Sequence, residues 1–248
     1  MQRMLRVSHD DVVAVGICGL IRESAVETLR ERLDERPELA TMRIVDMHGV
    51  ARSLLHVVAD WPGHLARGGA LVELLAAAGA DVNAAVTHPT DTMAAETPLH
   101  WAASSGDVAV LEALLDAGAD LEAPGAILTG GTAMSDAVVF AQRRSARALL
   151  ARGARTTLWQ AAYLALLDRV RAACEGNDPP SARDCTNALW HACRGGAREV
   201  VEYLVTRGAD VNWLGHDHKT PLDAAYDADD PALIDWLRAH GARRAADL

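Results

Sequence analysis

Lysine is all but missing from this 248-residue chain. Of 24 basic residues only Lys219 is not arginine, and the formal net charge is −10. So negative a surface repels phosphate backbones, which argues against nucleic acid as a partner. Long apolar runs are absent as well. None approaches the roughly 18 residues of a membrane-spanning helix. The opening stretch MQRMLRVSHDD turns acidic before an apolar core can form, so no signal peptide is expected and the cytoplasm is the expected compartment. The four cysteines, Cys18, Cys174, Cys185 and Cys193, show no CxxC spacing. They read as small buried hydrophobes, with a metal site joining Cys185 and Cys193 to His191 as the alternative. GxSxG, P-loop, strand-following GxGxxG and HExxH motifs are all missing, so neither catalysis nor a cofactor is expected. The scarcity of lysine beside abundant alanine suggests a GC-rich bacterial genome.

What is present is a repeat. In TPLHWAASSGDVAVLEALLDAGADLE, residues 97 to 122, Thr97 suits the N-cap and Pro98 the first helical position. A short helix of small residues runs to Gly106, a natural stop. Val110, Leu111, Leu114 and Leu115 then fall at helical spacing up to Gly118. The unit is a helix–turn–helix too small to bury its apolar face alone. Similar units start at Ser53, Thr132, Thr156, Asn187 and Thr220, with a faded copy near Val15.

TPLHWAA followed by LLDAGAD resembles the ankyrin repeat, whose period is about 33 residues. TPL returns at Thr220, and GAD closes the copies at 79–81, 118–120 and 208–210. The resemblance implies an all-α solenoid of about seven helix–turn–helix repeats, one domain over residues 1–248, with degenerate end caps and no sheet beyond hairpin fingers. It also implies binding to another protein through a concave groove and finger tips, by a chain expected to be monomeric.

The intervals are irregular. From Ser53 to Thr97 there are 44 residues, because DWPGHLARGG adds a loop between two helices; from Thr132 to Thr156 there are 24, because a finger is missing. Pro179 and Pro180 enforce an extended linker, after which Ser181 is placed to cap a longer first helix. His56 and His100 stand three residues after their N-caps, the spacing for capping back, as does Asp223. Trp159 and Trp190 fall at the equivalent position; an indole only donates, so packing is their expected role.

The candidate binding residues are Asp60, Trp61, His64, Trp101, Ser104, Ser105, Tyr163, Arg194 and Trp213. By the resemblance the end of each first helix lines the groove. Beneath Ser104 and Ser105 in other copies come Asp60, Trp61, Val139, Phe140, Tyr163, Leu164 and Arg194, an apolar and aromatic row for a solvated face. The alternative is that irregular packing buries part of it. Trp61 beside Trp101 would make an aromatic corner, with Trp61 either a partner anchor or a plug between repeats. Pro62 and Gly63 are expected to end the first helix just past Trp61, with re-entry at Ala70. The rival function is a small-molecule site or enzyme pocket around Asp60, Trp61, His64 and Trp101. Asp60 and His64 would touch only on a continued helix, which Pro62 opposes. His216 and His218 read as part of a polar turn rather than a chelator.

Overall fold

The computed structural model describes residues 5–89 and 95–248. The opening residues 1–4 of the MQRMLRVSHDD stretch lie outside the described residues. The chain divides into two compact units, Met1–Ala154 and Arg155–Leu248. Among the described residues, fourteen α-helices form seven consecutive pairs. Four lie in the first unit: α1 (Val12–Arg22) with α2 (Val26–Glu35), α3 (Leu54–Ala59) with α4 (Gly68–Ala77), α5 (Pro98–Ser105) with α6 (Val108–Asp116), and α7 (Ala133–Val139) with α8 (Arg143–Ala151). Three lie in the second: α9 (Leu158–Tyr163) with α10 (Leu167–Glu175), α11 (Ala182–Arg194) with α12 (Arg198–Thr206), and α13 (Pro221–Asp227) with α14 (Pro231–Ala239). First helices pack on first helices (α3 on α5, α5 on α7; α9 on α11, α11 on α13), and α4, α6 and α8 form a second layer. Between the layers Leu54, Leu71, Leu99, Leu111 and Leu114 are fully buried in the first unit. Trp190, Leu204, Leu233 and Leu237 do the same in the second.

Ser53, Thr97, Thr132 and Thr220 stand at the N-caps expected of them, and Ser181 caps the 13-residue α11. The faded first copy begins earlier than Val15, with Asp11 accepting the Val13 N–H. The first helix of the fifth pair, α9, starts one residue later than expected, capped by Thr157. Gln160, not Trp159, therefore holds its box position, accepting the Thr157 N–H at 2.8 Å.

One small sheet goes beyond a finger hairpin. β2 (Arg43–Val45) and β3 (Ala51–Ser53) make the antiparallel hairpin, and β1 (Arg6–Ser8) adds to β2 in parallel. Extended Arg-Val-Ser ahead of the first repeat thus covers an edge that would otherwise offer unpaired backbone groups.

Each box histidine works in two directions. His56 Nδ1 accepts the Ser53 N–H at 3.2 Å, so its proton sits on Nε2, which donates to the Glu96 carbonyl at 3.1 Å. His100 repeats this, from the Thr97 N–H (3.1 Å) to the Gly131 carbonyl (3.3 Å). Glu96 and Gly131 are the residues just before the next N-caps, so each imidazole ties one repeat's start to the next. Burial, then the positive charges of Arg43 and Arg52, push His56 down to about 3, so the ring stays neutral. At Trp190 packing is not the whole role: its indole donates to the Lys219 carbonyl at 3.0 Å, again just before an N-cap. It supplies the forward half of the link and cannot supply the backward half, which is why α11 takes its cap two turns earlier. At the seventh pair the segment after α14 supplies the partners: Thr220 Oγ1 donates to the Arg243 carbonyl, and Asp223 accepts from Arg244 and the Ala245 N–H. Burial opposes ionisation of Asp223, but Arg244, Ala245 and Thr220 together hold its carboxyl down at about 2.

Thr220→Val keeps the shape and removes both the cap and the link to Arg243. It is expected to destabilise the chain by about 1–2 kcal/mol in urea unfolding, with the far-ultraviolet circular dichroism of the folded state unchanged.

Candidate functional site

The inserted loop comes first, because it is where the repeat is broken. α3 ends at Ala59, before Trp61 rather than after it, and α4 begins at Gly68 rather than Ala70. Residues 60–67 are a non-helical loop, so Asp60 and His64 are not one helical turn apart. The loop is held at several points. The His64 N–H donates to Asp107 Oδ2 at 2.6 Å, while Asp107 Oδ1 caps α6 through the Val110 N–H at 3.1 Å. Gly63 takes a positive φ of 68° against Ser105, where a side chain would be both strained and crowded. Asp60 pairs with Arg52 at 3.4 Å, and Arg67 with Glu27 at 2.7 Å.

Trp61 projects from this pinned loop with 79% of its surface exposed, so it does not plug a gap. It makes no aromatic corner with Trp101 either. Trp101 packs edge-on against His56 (4.9 Å between ring centroids), lies under the Arg52 guanidinium (5.9 Å) and donates its indole N–H to Glu96 Oε2 at 3.2 Å. Asp60 is joined to Trp101 only through Arg52. Of the four residues of the supposed small-molecule pocket, Asp60 and Trp101 thus share Arg52, while the His64 backbone is held by Asp107.

The rest of the row divides. Ser104 is half-buried and donates to the Trp101 carbonyl at 3.0 Å; Phe140 is exposed. Ser105, Tyr163 and Leu164 are buried, contrary to a solvated groove row. Gly195 packs so closely on the Tyr163 backbone that a Cβ there would collide with its carbonyl. Arg194 lies over the Trp190 ring at 5.7 Å. In the same unit His191 is an aromatic hub, 4.7 Å from Trp159, 5.0 Å from Trp190 and 5.4 Å from His216. Trp213 is half-buried, folded over Gly215 and edge-on to His216. Burial, then His216 and Arg194, bring His191 down to about 3. His216 sits in a turn and meets the Asn187 side chain at 3.0 Å. Among the described residues no three His, Cys, Asp or Glu side chains are grouped to hold a metal, and all four cysteines are buried.

Sequence reasoning missed a group of acids. Burial pushes the Glu96 carboxyl up, against the hydrogen bonds from Trp101 and the Ile127 N–H. Asp136, in α7, is 1% exposed and neither of its oxygens has a hydrogen-bond partner. Burial and then the charge of Glu96 push it up to about 8. The signal available was positional: Asp136 follows its N-cap by four residues, as Trp101 does.

The model of the family described as "Ankyrin repeats (3 copies)" matches residues 55–158 and 158–245. The chain belongs to the ankyrin-repeat family. No curated protein matches it. Among solved structures the human ASB11 ankyrin repeat domain superimposes with a TM-score of 0.50 at 22% identity, covering 90% of this chain and 96% of that one, a likeness of fold alone. No helix among the described residues is long and apolar enough to cross a membrane.

Asp136 and His56 set opposite pH dependences in this ankyrin-repeat protein. The folded state keeps a proton on Asp136 up to about pH 8, whereas an ordinary aspartate releases it near 3.8. Its contribution is therefore present at low pH and lost as pH rises across that window, by at most about 1.4 kcal/mol per pH unit. His56, neutral when folded, loses its contribution as pH falls from 6.5 toward 3. Urea unfolding at pH 5, 6.5 and 8 should show Asp136→Asn gaining steadily on the parent chain as pH rises.

Proposed function

We propose that this chain binds another protein and that Trp61 is the anchor of the contact. The observation that carries this reading is the combination at residues 60–67: a large aromatic 79% exposed, on a loop pinned through the buried Asp107. Exposing an indole to water forgoes about 0.8 kcal/mol for each methylene-sized patch left unburied. A rigid base lowers the entropy lost on binding, and tryptophans so presented carry much of the energy of protein interfaces. Phe140, 44% exposed at the end of α7, extends the apolar surface along the first-helix row. Membership of the ankyrin-repeat family supports the general role of a protein-interaction scaffold.

Trp61→Ala tests the reading directly. Captured partner from the source organism's lysate should bind the variant about 30-fold or more weakly, equivalent to about 2 kcal/mol. Stability should move by no more than about 0.5 kcal/mol, as for an exposed site. A steep fall in the unfolding midpoint with partner binding intact would overturn the proposal.

A further inference from the structure

α1 has the sequence of an interior helix but is covered on one side only. Its residues, VVAVGICGLIR, carry no charge before Arg22. Among the described elements it packs mainly on α2 and α3, burying Ala14, Ile17, Cys18 and Ile21. α3, with α1 on one side and α5 on the other, buries all six of its residues. The far side of α1 is open: Val12 is 83% exposed, Val15 is 55% exposed, and Gly16 is exposed beside them. These positions fall at the three- and four-residue spacing of one helix face. A repeat whose outer face meets water is normally polar there.

The glycines sharpen the contrast. Gly16 and Gly19 lie inside the helix, and a Cβ on either would meet nothing within 4 Å. Neither a turn nor crowding within the chain calls for glycine, which weakens a helix relative to alanine. What glycine does allow is the close approach of another backbone from outside. Beside this ridge lies a hollow of about 360 Å³, lined by Val13, Gly16, Leu20 and Leu39 and rimmed by Arg32 and Arg36. The two arginines are paired within the chain, with Glu35 at 3.2 Å and Glu38 at 2.9 Å, so the rim is close to neutral. The free charges stand at the two ends of α1. Asp10 precedes the helix and Arg22 closes it; both are exposed, and neither makes an ion pair among the described residues. The Arg22 charge is felt at Asp60, but Asp60 is paired with Arg52.

We propose that α1 is the contact of a two-fold homodimer, in which the Val12, Val15 and Gly16 face of one chain lies antiparallel on the same face of a second copy. A two-fold contact needs a patch complementary to itself. Here an apolar ridge adjoins an apolar hollow, with a free acid at one end and a free base at the other. Asp10 and Arg22 each stand six residues from Gly16. When two copies of α1 cross antiparallel at Gly16, Asp10 of each is brought toward Arg22 of the other, and Val12 toward Leu20. A partner of another sequence gives no account of that symmetric spacing. Antiparallel helices also set their dipoles in the favourable sense. The dimer takes the place of the monomer expected from the sequence, and it does not rest on the role given to Trp61.

Sedimentation velocity of the full chain at physiological salt tests the proposal. A reversible monomer–dimer equilibrium with a Kd of about 1–50 µM is expected, as for a small interface. Val15→Glu, at an exposed position, should weaken it about tenfold or more. Gly16→Leu should weaken it too, by blocking the crossing, while raising the melting temperature, because leucine is the better helix former. A folding defect is thereby told apart from a lost contact. Asp10→Arg and Arg22→Asp should each weaken self-association about tenfold, by setting like charges together. An equimolar mixture of these two variants should recover the parent affinity, since one chain then carries two positive charges at the contact and the other two negative. A chain that stays monomeric up to about 500 µM, a dimer indifferent to Val15→Glu, or a mixture no tighter than its separate components would each overturn the proposal.

Discussion

A helix pair of this size cannot bury its apolar face alone, and what holds one pair to the next is a hydrogen bond from a neutral ring N–H to a backbone carbonyl. His56 reaches Glu96, His100 reaches Gly131 and Trp190 reaches Lys219, each carbonyl standing one residue before the next helix cap. The two histidines perform this only in one tautomer, because Nδ1 must accept the cap N–H of their own repeat while Nε2 donates forward. Protonation would replace that acceptor with a donor facing another donor. The burial that lowers the affinity of His56 for a proton therefore protects the link that the burial itself requires.

The same logic accounts for the exceptions. Where tryptophan replaces histidine, the forward bond survives and the backward one moves to Ser181, which Asp184 answers in a capping box. After the seventh pair, residues 243–245 supply partners to Thr220 and Asp223. The loops after the second helices carry their own stitches: Asn83 bonds the Gly118 carbonyl and the Asp120 N–H, and Asn212 does the same with Gly241 and Arg243. Polar groups at repeat junctions are met by design of the repeat, so the groups left unmet stand out.

Two departures from the repeat carry a cost, one at the surface and one in the interior. Trp61 is costly to expose, and Asp136 is costly to bury. Neither improves the fold, and each sits where the regular pattern is interrupted or overwritten, in the one long inter-helix insertion and at a position that Val57 and Ala224 fill with hydrocarbon. The insertion keeps its shape because Asp107 serves two roles, capping α6 with one oxygen and holding the loop with the other. A loop that exposes a tryptophan has been added to the repeat without loosening it.

The repeat register, the seven helix pairs and most of the caps were legible in the sequence, because capping operates within three or four residues of chain and leaves a local trace such as TPLH. The ends of the insertion were misjudged, since Ala59 and Gly68 mark where the loop fits onto Asp107 and Ser105, some forty residues away. Which members of the groove row meet solvent was decided only by tertiary structure. Tyr163 and Trp61 look alike in the alignment, yet one is buried against Gly195 and the other is exposed. Arg52, Glu96 and Asp136 are ordinary surface-type residues in the sequence. Arg52 meets Asp60 and Trp101, Glu96 takes the Trp101 indole, and Asp136 loses its access to water only when the chain is packed, which leaves no signature in chain spacing.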